Sequence, residues 1–361
     1  MPIYLHDCEC LTALGKTQST WSRLINGEVG LKPVPPLADS TETVPLALTG
    51  DLDDLNPPRW IDPVCELIQS ITQYPWGDAR HPIVITSSNF GIDQMLAAFQ
   101  TQNTAYHGQA TVTKAVGTIA NRLGWGSNRL IISNACVSAQ LGMIQAARLL
   151  EQRLADRVLV FSFDYLSRFV VGGFHALKIL NEDFPQPYSE RKSGAIGLGD
   201  GAAFAVFSNQ PSPFCIEDAA THSEFKHMTG NDPSGAGFDS VLAPMTTIAK
   251  DRNFWVKGHG TGTLETGRLE AESVERNFPN APLVSWKGSI GHTLGSCGLV
   301  ELAITKAAFH HGLAPGNVAA PAPHCVGQVH SGNLDLNRFD GVILLSSAFG
   351  GAHAAHLMTH A

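Results

Sequence analysis

Residues 129–164 read RLIISNACVSAQLGMIQAARLLEQRLADRVLVFSFD and alternate between strand-like and helix-like patterns. The pattern predicts a strand over 130–133, a tight turn at Cys136, a helix over 137–154 and a buried strand over 158–161. The helix is apolar on most faces, so we expect it inside the molecule. The second strand is a continuous apolar run, typical of parallel strands covered on both faces. This order of elements indicates an α/β fold.

The alternation continues along most of the 361 residues, a length that predicts two domains or one large two-lobed domain. An apolar run over 202–207 ends shortly before a proline-rich segment at 211–213. We therefore predict an N-terminal half over 1–212 and a C-terminal half over 213–361. Each half contains a strand that leads through a small-residue turn into a helix.

The composition excludes several classes of protein. Hydrophobic residues make up 43% of the chain and charged residues only 16%, below the roughly 25% of an ordinary soluble protein. We therefore expect part of the surface to be covered by another subunit. The net charge of -8 provides no overall attraction to nucleic acid. Disorder is not expected at this hydrophobicity.

Neither membrane insertion nor secretion is predicted. The two long stretches without charged residues, 130–147 and 341–361, contain too many polar side chains to span a bilayer. Asp7 and Glu9 stand where a signal peptide needs a basic start and an apolar run. We expect a cytoplasmic location. The seven cysteines are odd in number and scattered, so they predict no disulfide framework, and no CxxC pair suggests zinc.

Cys136 is a candidate nucleophile because it precedes a buried helix. The unpaired N–H groups and the positive end of the helix dipole favour the thiolate form of a cysteine at this place. A small buried core thiol is the alternative, since free cysteines are usually buried and inert. The position of Cys136 alone leaves both interpretations open.

The second half contains two histidines in glycine-rich turns. His259 lies in WVKGHGTGTLETGRLEAE (255–272), where the glycines allow a close approach of backbone and ligand. Lys287, His292 and Glu301 lie in SWKGSIGHTLGSCGLVELAITKAAF (285–309), with a helix expected to begin near Leu294. Either histidine alone could be structural. The two together, with a lysine and a glutamate near the second, indicate a functional site.

The C-terminal strand over 342–345 runs into SSAFGGAHAAH (346–356). The glycine pair after Phe349 predicts a tight turn whose backbone N–H groups face a ligand. An ordinary strand end is the alternative.

In combination, these motifs resemble the β-ketoacyl-acyl carrier protein synthase family, the elongating condensing enzymes of the thiolase fold. The resemblance covers nearly the whole chain. ACVSAQ resembles the nucleophile turn of the family, GHGTGT its first histidine loop, KGSIGHTLGSCGLVE its lysine and second-histidine segment, and FGG its gating loop. Residues 173–203 resemble its linking segment. Several long motifs occur in the correct order.

The resemblance implies two similar halves in a five-layered α-β-α-β-α core and a dimer formed along the nucleophile half. It implies no cofactor and no metal. Cys136 would take an acyl chain from a carrier protein. His259 and His292, as neutral donors, would stabilise the enolate that forms when malonyl carrier protein loses carbon dioxide. The backbone N–H groups of Cys136 and Phe349 would hold the tetrahedral intermediate, and Phe349 would act as the gate.

By the same resemblance, Lys287 supplies positive charge near His292, and Glu301 orients or balances it. Two histidines are typical of the elongating enzymes, whereas the initiating enzymes carry a histidine and an asparagine. Claisen thiolases differ because they use a second reactive cysteine in a C-terminal loop. Here that loop has Ala348 and Phe349, and Cys297 lies in a helix.

The chain also departs from the family pattern. The usual Arg-Asp-Gly after the linking segment is replaced at 192–194 by Lys-Ser-Gly, and the aspartate after GHGTGT is Gly267. The asparagine after the final glycines is His353, and the gating loop begins with Ser347 and Ala348. We expect Ala348 to stiffen that loop, because alanine has fewer backbone conformations than glycine.

Two alternative functions follow from these departures. The first is a chain-length factor, a ketosynthase-like partner of an active synthase, which typically lacks the nucleophile that Cys136 provides here. The second is a Cys-His hydrolase, which leaves the second histidine and the lysine segment without a role.

The partners that the resemblance implies are acyl carrier protein, with its acyl and malonyl thioesters, and a second subunit in a homodimer or in a heterodimer with another ketosynthase-like chain. Carrier proteins are acidic, so we predict a local basic patch near the mouth of the acyl tunnel. The candidate residues are Arg122, Arg129, Lys192, Lys250, Arg252 and Arg268.

Overall fold

A computed structural model describes residues 2–54, 58–103, 111–180, 182–189, 196–226, 230–317 and 327–360. The strands are β1 Ile3–Thr12, β2 Gly15–Lys16, β3 Lys32–Val34, β4 Val44–Ala47, β5 Ile83–Thr86, β6 Arg129–Ile132, β7 Arg157–Asp164, β8 Leu198–Gly199, β9 Gly201–Ser208, β10 Phe214–Ser223, β11 Phe254–Lys257, β12 Leu283–Val284, β13 Leu313–Ala314, β14 Leu334–Asp335, β15 Gly341–Ala348 and β16 Ala352–His360. The α-helices are α1 Thr17–Ile25, α2 Ile61–Ile68, α3 Asp93–Thr101, α4 Val112–Leu123, α5 Ser138–Glu151, α6 Arg168–Ala176, α7 Ala236–Ile248, α8 Leu264–Asn277, α9 Lys287–Ile290 and α10 Cys297–His311.

Hydrogen bonds join the strands in the order β12-β11-β15-β16-β10-β1-β9-β7-β5-β6, with β2 paired to β1. The pairing of β1 with β10 links the strands that precede residue 212 to those that follow it. The strand β7 is parallel to β5 on one side and antiparallel to β9 on the other. Every residue of β7 after Arg157 is buried, so the prediction of a strand covered on both faces is confirmed, but β7 lies in a mixed sheet and not in a parallel one.

The alternation of side chains along the strands builds five layers. In β7, Val160 points into an inner core that contains α5 and α10, while Phe161 points into an outer core with α2 and α4. In β15, Leu344 faces the inner core and Ile343 faces a second outer core with α7 and α8. Successive side chains of a strand point to opposite faces, so each set of strands lies between two helix layers. The predicted α/β thiolase-like fold with an α-β-α-β-α core is confirmed.

The central helix α10 is buried for a reason visible in its composition. Between Cys297 and Thr305, α10 carries apolar or small side chains on all faces apart from Glu301, and every one of these residues is buried. A helix that is apolar all round needs protein on all sides. Predicted and observed bounds differ slightly in α5, which begins one residue later and ends three residues earlier than expected. Arg153 adopts a left-handed φ of 58° just beyond its end, which stops the helix.

The helix expected to begin near Leu294 begins at Cys297, after a 3-10 turn over Leu294–Ser296. The tight turn predicted after the C-terminal strand lies where the sequence placed it. The glycine pair forms the tight turn between β15 and β16, with a φ of 85° at Gly350 and 71° at Gly351. The boundary between residues 212 and 213 stays a prediction.

Candidate active site

The nucleophile turn holds Cys136 in a strained conformation. Ala135 has a φ of 43°, which is uncommon for a residue with a Cβ. The Ser138 hydroxyl fixes this geometry, because it accepts a hydrogen bond from the Asn134 N–H (2.8 Å) and donates one to the Ala135 carbonyl (2.7 Å). The Cys136 residue is 8% exposed, which leaves it open to the cavity described below.

The backbone of His292 is held by the end of the linking segment. Its N–H donates to the Gly197 carbonyl (2.6 Å), and its carbonyl accepts from the Gly199 N–H (3.0 Å). Gly291 before it has a φ of 72°, and a Cβ there would lie 2.5 Å from a backbone carbonyl, so this position requires glycine. As a result, the Nε2 atom of His292 lies 2.9 Å from the Cys136 Sγ atom.

The His259 loop is held by Glu270, a residue that the sequence analysis did not identify. The Glu270 carboxylate on α8 accepts hydrogen bonds from the backbone N–H groups of His259 and Gly260, the latter at 2.9 Å. The Ser285 hydroxyl donates to the Gly260 carbonyl at 2.7 Å. The only signal in the sequence is a glutamate eleven residues after His259, which a periodicity analysis assigns to the polar face of a helix.

The structure brings the two imidazoles together. The ring centroids of His259 and His292 are 5.1 Å apart, with an interplanar angle of 89°. Burial, with the nearby Lys287 ammonium, lowers the pKa of both imidazoles well below the ordinary value of 6.5. Neither Nδ1 atom has a hydrogen-bond partner among the described residues. Both histidines are therefore neutral at physiological pH.

The environment of Cys136 differs from the sequence expectation. Burial raises the pKa of its thiol above the ordinary value, and the neighbouring Cys297 raises it further, while Lys287 lowers it. The backbone at the helix start does favour the thiolate, as expected, but the loss of water outweighs this contribution and the pKa of the thiol is raised. In the resting protein, Cys136 is a thiol in contact with the His292 imidazole.

Lys287 and Glu301 form a buried ion pair behind the histidines. The Lys287 Nζ atom lies 2.5 Å from Glu301 Oε1. Burial disfavours the ammonium form, but Glu301 opposes this effect and the pKa of Lys287 lies above its ordinary value. A second lysine that the sequence analysis missed, Lys257, also lies 2.5 Å from the same Glu301 oxygen. The signal for Lys257 in the sequence was a charged residue in the otherwise apolar strand β11.

A cavity of about 250 Å³ opens onto these residues. Aromatic and aliphatic side chains line one part of the cavity, and Ser347, Ala348 and Phe349 at the end of β15 line another part. The Phe174 and Phe349 rings stack with centroids 5.9 Å apart. Its lining residues are Cys136, Phe174, Leu177, Ile179, Ile196, Gly230, Asn231, His259, Thr261, Thr263, Glu265, Thr266, Leu269, His292, Ser347, Ala348 and Phe349.

The positions that depart from the family pattern have distinct surroundings. Ser347 and Ala348 belong to β15 and pair with His353 and Ala352 of β16. The Nε2 atom of His353 lies 2.9 Å from the Glu224 Oε1 atom. A Cβ on Gly267 would meet its nearest neighbour at 3.6 Å, so the site has space for a side chain. Residues 192–194 lie outside the described part of the chain.

Three of the residues proposed for a basic patch are ion-paired on the surface. Arg122 pairs with Asp62, Arg252 with Glu217 at 2.8 Å and Arg268 with Glu272 at 2.7 Å. Lys192 lies outside the described residues. The predicted patch stays a prediction.

Within the described residues, no group of three or more His, Cys, Asp or Glu side chains is arranged to hold a metal ion. Over the same residues, no helix is sufficiently long and apolar to cross a bilayer.

Similarity to known proteins agrees with this fold and site. The β-ketoacyl synthase C-terminal domain matches residues 214–320. The ketoacyl synthase alpha subunit of the tetracenomycin polyketide synthase from Streptomyces glaucescens is 27% identical over 63% of this chain and 59% of its own length. This chain thus spans less than two thirds of that relative. The 3-oxoacyl-[acyl-carrier-protein] synthase 2 of Coxiella burnetii is 24% identical over 95% of this chain and 94% of its own length.

A solved structure, the ketosynthase ApeO in complex with its chain length factor ApeC from Xenorhabdus doucetiae, aligns with a TM-score of 0.82 and 21% identity. The alignment covers 99% of this chain and 98% of that chain. The chain therefore has the thiolase-like fold of these ketosynthases. The resemblance found in the sequence is confirmed: the domain that matches residues 214–320 and the proteins and structures similar to this chain are β-ketoacyl synthases, ketosynthases and a complex with a chain length factor.

Proposed function

We propose that this chain is an active β-ketoacyl-acyl carrier protein synthase that catalyses the decarboxylative Claisen condensation of malonyl carrier protein with a cysteine-bound acyl chain. The pathway would be type II fatty acid, polyketide or polyene biosynthesis. The observation that carries the proposal is the 2.9 Å contact between Cys136 Sγ and His292 Nε2, with His259 beside it.

The first step is transfer of an acyl chain to Cys136. The Cys136 Sγ atom forms a bond to the acyl carbon, the carbon–sulfur bond of the carrier thioester breaks, and the thiol proton leaves with the carrier thiol. Because burial holds the resting group as a thiol, its proton moves to the carrier thiol through His292 Nε2, which accepts it while the imidazole proton lies on Nδ1. The imidazole then changes tautomer, so that Nε2–H is the donor in the next step. The backbone N–H groups of Cys136 and Phe349 would bind the oxyanion of the tetrahedral intermediate.

The second step is decarboxylation of the malonyl thioester. As the bond to the carboxylate breaks, its electrons pass into the thioester, and the enolate oxygen accepts hydrogen bonds from His259 and His292. Neutral imidazoles suit this role because they donate a hydrogen bond without readily giving up the proton to the enolate. Loss of one such donor typically lowers the rate by about 100-fold to 1000-fold.

In the third step, the enolate carbon attacks the acyl group on Cys136. The new carbon–carbon bond forms, the bond to Sγ breaks, and the departing thiolate takes a proton from water. We propose that Lys287 and Glu301 act behind the histidines. Their buried ion pair supplies positive charge near His292 and fixes it in place.

The alternative function is a chain-length factor. The absence of a side chain at Gly267 and the replacement of glycine by Ala348 in the gating segment favour it. The contact between Cys136 and His292, with His259 beside it, favours the synthase, because a non-catalytic partner has no need of a nucleophile paired with an imidazole.

We propose acyl carrier protein as the partner that delivers both thioesters, and a dimer formed along the nucleophile half. The edge strand β6 supports the second proposal, since Leu130 and Ile131 are 38% and 43% exposed in the isolated chain. Exposed apolar residues on an edge strand favour pairing with a second strand.

The test is to incubate the purified chain with acyl carrier protein thioesters and locate the acylated residue by mass spectrometry. We expect an acyl adduct on Cys136 in the wild type and none in Cys136→Ala. Cys215→Ala is the matched control, because that half-buried cysteine lies on β10 outside the cavity. Absence of an adduct, with or without a partner subunit, would defeat the synthase proposal. Retained pathway activity of Cys136→Ala, with co-purification of a second synthase, would establish the chain-length factor.

A further inference from the structure

Lys257 is a buried charge that the proposed mechanism does not use. It ends β11, two residues before His259, and its side chain is fully buried. The Nζ atom lies 2.6 Å from the Gly258 carbonyl and 2.5 Å from Glu301 Oε1. Burial of an ammonium group is costly even when it is paired, so its presence beside the site needs an explanation.

Pairing alone does not explain Lys257. Glu301 already has a partner in Lys287, which lies 2.5 Å from the same carboxylate oxygen. Two ammonium groups therefore share one carboxylate atom, and they place more positive charge behind the histidines than the pairing of Glu301 requires. The next carboxylate, Glu270, is engaged by the backbone of the His259 loop.

We infer that Lys257 is a positioning residue of the proposed condensation. It holds a second positive charge near His259, and so keeps both imidazoles neutral under more acidic conditions than Lys287 alone would allow. The inference rests on the proposed function. An imidazolium at either position would readily protonate the enolate and release an unextended acyl thioester. A charge that prevents this protonation separates condensation from wasteful decarboxylation.

The groups around the histidines determine the sign of the effect. Burial lowers the pKa of both imidazoles most. Lys287, His292 and Lys257 then lower that of His259 further, and Lys287 and Lys257 lower that of His292. The remaining titratable groups that face this cluster are Glu301 and Cys297 on α10, Glu270 on α8, and Tyr188, His353 and Cys136. Removal of Lys257 removes one positive charge, so protonation of both histidines should begin at higher pH.

The test compares wild type with Lys257→Met by two measurements. The first is NMR titration of 13C-labelled imidazoles between pH 3.5 and 8, with His259→Gln and His292→Gln used for assignment. The second is the pH dependence of malonyl carrier protein decarboxylation and of the ratio of extended to unextended product. We expect the titration midpoint of His259 and the acid limb of the profile to move up by about one pH unit, as expected for one charge in a partly buried site.

Lys306→Met is the matched control. Lys306 lies on the same helix as Glu301, but its Nζ atom donates to the His6 carbonyl, outside the cavity. It should change neither measurement. If Lys257→Met fails to fold, Lys257→Gln replaces it in the test. The glutamine variant keeps an N–H donor for Glu301 without the charge. An unchanged midpoint for both histidines, or an unchanged acid limb, would overturn the inference. If the wild type does not decarboxylate the malonyl thioester, the proposed function fails while the NMR titration still decides the role of Lys257.

Discussion

Gly295→Ala tests whether close packing between two turns creates the active-site geometry. Gly295 lies between His292 and α10, where its Cα atom faces the nucleophile turn. A Cβ at this position would lie 2.8 Å from Asp164 Oδ2, 2.9 Å from the Ser88 N atom and 3.0 Å from the Ala135 carbonyl oxygen. Two of the three are backbone atoms, so a side-chain rotation cannot relieve the contact.

The expected magnitude follows from these distances. Carbon atoms in ordinary contact are about 3.5 to 4.0 Å from their neighbours, so the two turns must separate by roughly half an ångström or more. Overpacking of this kind typically costs about 1–3 kcal/mol of unfolding free energy. The separation lengthens the 2.9 Å contact between Cys136 Sγ and His292 Nε2. A displacement of about 1 Å in a reacting group lowers rates by about 100-fold, so we expect a loss of about 10-fold to 100-fold in condensation.

The assay measures both effects on the same samples. Urea denaturation gives the free energy of unfolding, and the rate of iodoacetamide alkylation reports the state of the Cys136 thiol without any assumption about the natural substrate. Gly117→Ala is the control, because a Cβ there would meet nothing within 4 Å and the residue lies inside α4. Replacing glycine by alanine in a helix should stabilise the chain by about 0.5–1 kcal/mol. If Gly295→Ala matched the wild type in both unfolding free energy and alkylation rate, the packing argument would be refuted.

Three further substitutions test other parts of the structure. Glu270→Gln leaves one oxygen to serve two backbone donors. We therefore expect a loss of about 1.5–3 kcal/mol in unfolding free energy or an equivalent loss in decarboxylation rate. Wild-type values for both would show that the carboxylate does not hold the His259 loop. His356 is buried and its pKa is lowered to about 3; its contribution to stability is complete above pH 6.5 and declines as the pH falls towards 3. His356→Leu should remove this dependence of the unfolding free energy on pH, which amounts to about 2 kcal/mol between pH 6.5 and 5. If urea denaturation gave the same change of unfolding free energy with pH for the variant and the wild type, the assignment would be contradicted. Asp200→Asn should lower the free energy of unfolding by about 3–5 kcal/mol. It leaves the buried Arg59 guanidinium without the carboxylate that both of its Nη atoms contact at 2.7 Å. A loss smaller than about 1 kcal/mol would indicate that water replaces the pair.

The local elements and the candidate site residues that the structure brings together could be predicted from the sequence. The turn at Cys136, the glycine-rich loop of His259 and the segment from Lys287 to Glu301 each have a local pattern, and the motifs occur in family order. Local patterns specify strands, turns and helices because each depends on neighbours a few residues apart.

Lys257 and Glu270 could not be predicted in this way. Each resembles an ordinary polar residue at a strand end or on a helix face, and each acquires its role from a partner on another element. The direction in which the pKa of the Cys136 thiol is shifted could not be predicted from the sequence either. A helix start can be read from the sequence, but the depth of burial that raises the thiol pKa depends on the packing of both halves.

By itself, the amino-acid sequence determined the α/β fold, the resemblance to the β-ketoacyl synthases and the choice of Cys136, His259 and His292 as candidate site residues, because these depend on periodicity and on motifs of contiguous residues. Only the tertiary structure decided how the groups act on one another. It set the 2.9 Å contact between Cys136 and His292, the sharing of one Glu301 oxygen by Lys257 and Lys287, and the neutrality of both imidazoles. The physical reason is that electrostatic interactions depend on distance and on exclusion of water, and both are fixed when residues far apart in the chain pack together.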